Sequence, residues 1–193
     1  MPAHGVAVAV TRRVHRLVLA VLLGSSIAHA DVDLVGGYAS MTRTLDGSTD
    51  DARNSGPTLA ADAGVHLAPA LSVVGFATFA LYHNDDQVQG SRRVMTSSLG
   101  PAVRLHWGNA FVGIGGGLGL WHASFGPDAP PTTSAGVLAR LELGFHSEPS
   151  RRGWRGMIAG RLSRGWFPTA PADSFDAMSG TTTTFEVVAG VAL

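Results

Sequence analysis

Ten residues, 111–120, constrain this chain more than any other stretch: Phe-Val-Gly-Ile-Gly-Gly-Gly-Leu-Gly-Leu. Taken two at a time, Val112, Ile114, Leu118 and Leu120 share one face, with Gly116 interrupting it, while Phe111, Gly113, Gly115, Gly117 and Gly119 share the other. A period of two is that of a strand. Glycine weakens a strand, so a whole face of it calls for large side chains lying opposite. The next alternating stretch supplies them, because Arg140 and Glu142 stand on its polar face. The pattern predicts an interior lined by glycine and crossed by long charged side chains, with an apolar exterior.

The same alternation recurs along the chain, separated by polar segments that contain glycine and proline. Residues 32–41 form a first strand, with Val32, Leu34 and Tyr38 as the better apolar face and Asp33 as the better interior residue. In residues 58–67, Leu59, Ala61, Ala63, Val65 and Leu67 oppose Thr58, Asp62, Gly64 and His66. Residues 71–82 are apolar on both faces, and their facing is open. In residues 97–107, Leu99, Val103, Leu105 and Trp107 oppose Ser98, Gly100, Arg104 and His106, and Gly108-Asn109 is a tight-turn pair. The sixth strand sets Val137, Ala139, Leu141, Leu143 and Phe145 against Arg140, Glu142, Gly144 and His146. The seventh sets Ile158, Gly160 and Leu162 against Met157, Ala159, Arg161 and Ser163, and the eighth sets Phe185, Val187, Ala189, Val191 and Leu193 against Thr184, Glu186 and Gly190. Long connections, 42–56, 83–93, 122–134 and 168–180, alternate with short ones, 68–70, 108–109 and 147–153.

Residues 1–30 have the layout of a secretory signal peptide. Arg12, Arg13 and Arg16 precede a short apolar core at 17–23 and a small-x-small cleavage site, Ala28-His29-Ala30. The core is too short to span a bilayer. Three of the 14 basic residues and none of the 14 acidic ones lie in this segment, so residues 31–193 carry 11 basic against 14 acidic groups, a net of −3. That balance does not imply a nucleic-acid or other polyanion-binding surface. The absence of cysteine excludes a disulfide framework, a thiol nucleophile and a thiolate metal site. Beyond the signal no apolar run has the length of a membrane helix, so a membrane-embedded domain here has to be a barrel.

Eight alternating strands, with long loops after odd strands and short turns after even ones, resemble the small eight-stranded outer-membrane barrels of the OmpA/OmpX type. The resemblance is architectural and covers residues 31–193. It implies an all-β, antiparallel, up-and-down transmembrane barrel in the outer membrane of a Gram-negative envelope. Its turns would be periplasmic and its loops extracellular. The implied partners are outer-membrane lipid and the machinery that inserts barrels, and no cofactor is implied. Such barrels usually end in an aromatic residue, whereas this chain ends in Val191-Ala192-Leu193. In a barrel of eight strands the interior is filled by side chains. Asp62, Arg104, Arg140, Glu142, Arg161 and Glu186 are expected to form a lumen charge network, with Gly115 and Gly117 roughly across from Glu142 and Arg140 and with Arg161 near Glu186. Such closure argues against a porin. Tyr82, Trp107, Trp121, Phe145, Trp154 and Trp166 lie near strand ends, where interfacial aromatic girdles are expected; Trp121 shares lumen parity with Phe111.

Two functional alternatives arise from other residues. His122-Ala123-Ser124 places a histidine and a serine two apart, pointing the same way near the loop-end rim. This His-x-Ser is similar to that of the outer-membrane lipid A deacylases, in which Ser124 would be the nucleophile and His122 its base. Glu142 has lumen parity and lies too deep to complete a triad, which leaves Asp128 as the only other nearby acid. A soluble lipocalin-like carrier would instead turn the barrel inside out, with apolar faces around a ligand. His66, His106 and His146 could meet at the turn end and bind a metal ion, but hydrated lumen residues are the expectation, and no metal site is assigned. The favoured reading is a non-enzymatic barrel with a structural or surface-contact role through its long loops.

Overall fold

In the computed structural model, residues 30–45, 51–84, 92–124, 132–151, 153–167 and 180–193 are described. The chain separates into Met1–Ala30 and Asp31–Leu193. The expected export segment is the first of these, and all of it but Ala30 lies outside the described residues. The second unit is a closed antiparallel barrel, β1-β2-β3-β4-β5-β6-β7-β8 in sequence order. Its strands are β1 (Ala30–Leu45), β2 (Asp51–Ala68), β3 (Leu71–Asn84), β4 (Arg92–Trp107), β5 (Ala110–Ser124), β6 (Thr132–His146), β7 (Arg155–Phe167) and β8 (Gly180–Ala192). β1 closes the wall on β8 in an unbroken register from Asp33↔Ala192 to Leu45↔Gly180.

Alternation decides the facing everywhere. Arg104, Arg140 and Glu142 are 3% exposed, while Leu141, between two of them, is 52% exposed. Leu59, Leu99, Val103, Ile114, Leu118, Leu143, Ile158 and Phe185 are likewise exposed. Soluble monomers rarely expose a contiguous apolar wall of this kind. An arginine there would cost about 2–4 kcal/mol at mid-bilayer. The inside-out carrier arrangement is therefore overturned: its charges are inside and its leucines outside. The first strand and the third, whose facing was open, follow the same rule. Leu34 and Tyr38 point outward and Asp33 inward on β1, and Phe79 and Leu81 point outward and Phe76 and Tyr82 inward on β3.

Two expectations need correction. Strands run further toward the loop end than their apolar cores do. β2 starts at Asp51 rather than at 58 because Asn54 and Thr58 continue the inward parity after the outward face has turned polar. Register across β5 and β6 is also displaced: Gly113 faces Glu142 and Gly115 faces Arg140. Inward residues are odd on β5 and even on β6, so a register error that keeps the facing has to be two residues, as here. Short turns close the other end. Gly108 takes φ 58°, a value that L residues avoid, at the first position of the two-residue β4–β5 turn.

Candidate functional site

The lumen is built in layers. At its centre Arg104 reaches three carboxylates on three strands. Its Nη1 donates to Asp33 Oδ2 at 2.6 Å, and it also pairs with Asp62 and Glu142. Arg140 Nη2 lies 3.1 Å from Glu142 Oε2 and 3.8 Å from Asp62 Oδ2. Arg161, fully buried, donates to Asp62 and holds Nε 3.6 Å from Glu142 Oε2. Glu186 is buried at the register position opposite Arg161. All six residues expected in the network thus face inward. Five of them meet directly, and Asp33 joins these five through Arg104. Its inward parity was readable, but it was not counted among the network residues. Buried ions are tolerated only when paired and hydrogen-bonded, which is how Asp62 and Glu142 come to be shared among three guanidiniums.

Aromatic rings line this belt. Arg104 lies over Phe111 at 4.7 Å and Arg140 over Phe76 at 4.5 Å, within the range of cation–π attraction. Gly113 is needed here because a Cβ on it would come within 2.6 Å of Glu142 Oε1.

Toward the loop end the lumen is capped by an apolar cluster of Ala39, Met41, Ala80, Tyr82, Val94, Trp121 and Phe167. Tyr82 and Trp121 are 3% and 1% exposed, so neither belongs to an outer girdle. Position near a strand end fixes the level of a ring, but parity fixes its side, and both residues have inward parity. Trp107, Phe145, Trp154 and Trp166 are exposed. Arg43, placed in a loop by its polarity, lies over the Trp121 ring at 5.6 Å.

At the turn end a cavity of about 140 Å³ is lined by Asp31, His66, His106, Asn109, His146 and Arg155, among others. His66 and His106 stack tilted, with ring centroids 5.0 Å apart. Each imidazole has its own neighbour: His66 Nε2 bonds Asp31 at 2.6 Å, His106 Nε2 bonds Ser72 at 2.8 Å, and His146 Nε2 stands 3.4 Å from Asp33. Among the described residues no three ligating side chains converge on a metal position.

His122 is on the outward face of β5, and its Nδ1 is 2.9 Å from Thr133 Oγ1. Ser124 is the last residue of β5, opposite Arg93; its side chain and Asp128 lie outside the described residues. Glu142 is inside the lumen, bonded to Arg104 and Arg140, so it does not orient His122.

No protein-family profile matches the sequence, and no curated protein matches it either. Solved structures do. Ail, the attachment invasion locus protein of Yersinia pestis, solved in complex with the heparin analogue sucrose octasulfate, superposes with a TM-score of 0.61 at 14% identity, over 86% of this chain and 99% of Ail. Neisserial surface protein A superposes with a TM-score of 0.54 at 15% identity, over 85% and 96%. This chain has the fold of the small eight-stranded outer-membrane barrels. With an apolar outer wall and a charged interior, the barrel belongs in the bacterial outer membrane.

Proposed function

We propose that this protein is a non-enzymatic, closed-lumen barrel of the outer membrane that acts through its surface, as an envelope-structural element or a contact surface carried by its long loops. The observation that carries the closed reading is the stack of fillings inside the wall. The belt around Arg104 and the cap around Trp121 fill the lumen at two levels, which supports closure, and a barrel of eight strands has room for little more than its own side chains. The loop residues themselves, 46–50, 85–91, 125–131 and 168–179, lie outside the described residues. The net charge of −3 on residues 31–193 gives no reason to extend Ail's sulfated ligand to this chain. For the esterase alternative, His122 meets a threonine hydroxyl where a triad would need a carboxylate.

Two measurements test this reading. In planar bilayers the refolded protein is expected to give no discrete conductance steps; reproducible steps would overturn closure. In cells, replacing residues 85–91 and 168–179 by Gly/Ser linkers is expected to abolish the surface phenotype of the full chain while the barrel still inserts. A phenotype unchanged by loop replacement counts against the surface role.

A further inference from the structure

Among the described residues of the outer wall, charge is confined to one sign and one end. Among the described outward-facing strand residues, the acidic and guanidinium side chains number two, Arg53 and Arg164. Both are exposed, both lie toward the loop end, and neither forms an ion pair or hydrogen bond with a described residue. The strands between them carry hydroxyls. Arg164 faces Thr183 across β7–β8, and Thr183 faces Thr42 across β8–β1. One outward step nearer the loops, Trp166 faces Thr181, and Thr181 faces Thr44. On the far side of β1 the Tyr38 hydroxyl donates to Ser55 Oγ at 2.9 Å, and Arg53 is the next outward residue of β2 toward the loops. The opposite wall differs. Below His83 and His122, the loop-end halves of β3 to β6 expose Phe79, Leu81, Met95, Leu120 and Val137.

An acyl chain offers a guanidinium no partner, whereas a headgroup does and can also bond to threonine hydroxyls. Guanidinium forks bind phosphate oxygens with paired, charge-assisted hydrogen bonds. Threonine hydroxyls can donate to and accept from sugar hydroxyls. Indole rings settle at the level of the headgroups. Arg164 lies one outward step below Trp166, so its stem can run along the wall and lift its charge to that level. Three inter-strand steps separate Arg53 from Arg164, roughly 14 Å at about 4.8 Å per step. That span exceeds a single phosphate and suits a sugar headgroup.

We infer that the loop-end seam β7–β8–β1–β2 is a binding site for the phosphorylated-sugar headgroup of an outer-leaflet glycolipid, held by Arg53 and Arg164 with Thr42, Thr44, Thr181 and Thr183. This rests on the reading of the chain as a membrane barrel. The test titrates the refolded protein, in zwitterionic micelles, with a diphosphorylated diglucosamine lipid, its dephosphorylated form, phosphatidylcholine and inorganic phosphate, counting bound molecules by native mass spectrometry. The diphosphorylated lipid is expected to bind best. Arg53→Gln and Arg164→Gln should each weaken it about fivefold, the factor that one basic residue carries at an anionic membrane surface, and together about 25-fold. Arg151→Gln, at an exposed arginine of the β6–β7 turn, should leave it unchanged. Equal binding of the dephosphorylated lipid, or an unaffected double variant, would overturn the site. Displacement by millimolar inorganic phosphate would make it a small-anion site and overturn the lipid assignment. Each variant is first shown to be folded by its heat-modifiable migration in gels. Wild-type protein lacking that behaviour would sink the membrane reading itself, a failure distinct from those above.

Discussion

Around Arg104 the lumen is filled by ionisable side chains, whereas toward the loops it is filled by Met41, Tyr82, Trp121 and Phe167. Both fillings occupy the lumen, but they constrain the wall differently. Arg104 alone ties β1, β2 and β6 together through Asp33, Asp62 and Glu142, and Arg161 adds β7 through Asp62. These strands are far apart in sequence, Arg104 lying 71 positions after Asp33. Each charge pair fixes which strands face one another across the tube. Apolar rings carry no such instruction, since any side chain of about the right volume can take their place. The belt therefore specifies the arrangement of the barrel, and the cap fills what remains.

Shape-conserving substitutions break this comparison most directly. Arg104→Met keeps much of the volume and leaves three buried carboxylates short of a partner. The expected cost is about 3–5 kcal/mol, the penalty for removing one member of a buried ion group, read as a fall in the urea midpoint of the protein folded in vesicles. A loss below about 1 kcal/mol would mean that water, and not the arginine, stabilises the carboxylates. Next in size is Gly113→Ala. Its Cβ would come within 2.6 Å of Glu142 Oε1 and 2.7 Å of its Cγ, pushing the carboxylate off Arg104; overpacking of this kind costs about 1–3 kcal/mol. In an Arg104→Met background most of that cost should vanish, which a double-mutant cycle would measure. Trp121→Phe in the cap is expected to cost about 1–2 kcal/mol, from the ring atoms removed and the small cavity left behind. A cost equal to that of Arg104→Met would erase the distinction between belt and cap.

How much of this was legible beforehand depends on which interaction set the answer. Facing was legible because a lipid exterior punishes every error: Leu99, Val103 and Leu105 against Arg104 leave one solution. The inward set of charges followed from that parity alone. One placement, Arg161 opposite Glu186, was also legible; the contacts across the lumen were not, because they depend on where each strand begins, and β2 and β6 start earlier than their apolar stretches suggest. Tyr82 and Trp121 were misplaced by letting the interfacial habit of aromatic rings override parity. The turn-end histidines were legible as a group by spacing, whereas their separate partners, Asp31 and Asp33 on β1 and Ser72 on β3, carry no local signal. The loop-end seam was hidden for a related reason: Thr42 and Arg53 read as loop until the ladders are seen to continue past the apolar band.

The smallest expected effect gives the sharpest contrast, because it repeats one chemical change on one face of one strand. Gly119 has the same inward parity on β5 as Gly113, but it sits in the cap layer. A Cβ there would stand 3.5 Å from Leu138 and 3.6 Å from the Phe167 ring, at ordinary contact distances. Gly119→Ala therefore adds apolar contact and removes backbone freedom from the unfolded chain, with no side chain forced to move. Such a change stabilises by about 0.4–1 kcal/mol. The pair Gly113→Ala and Gly119→Ala should thus move the urea midpoint in opposite directions. If both lower it, the glycine face of β5 is required for the curvature of the wall along its whole length. If only Gly113→Ala does, the requirement varies by layer: at Gly113 it comes from the Glu142 carboxylate lying over that residue, and at Gly117 from the β4 backbone, where a Cβ would run into the Leu99 carbonyl oxygen.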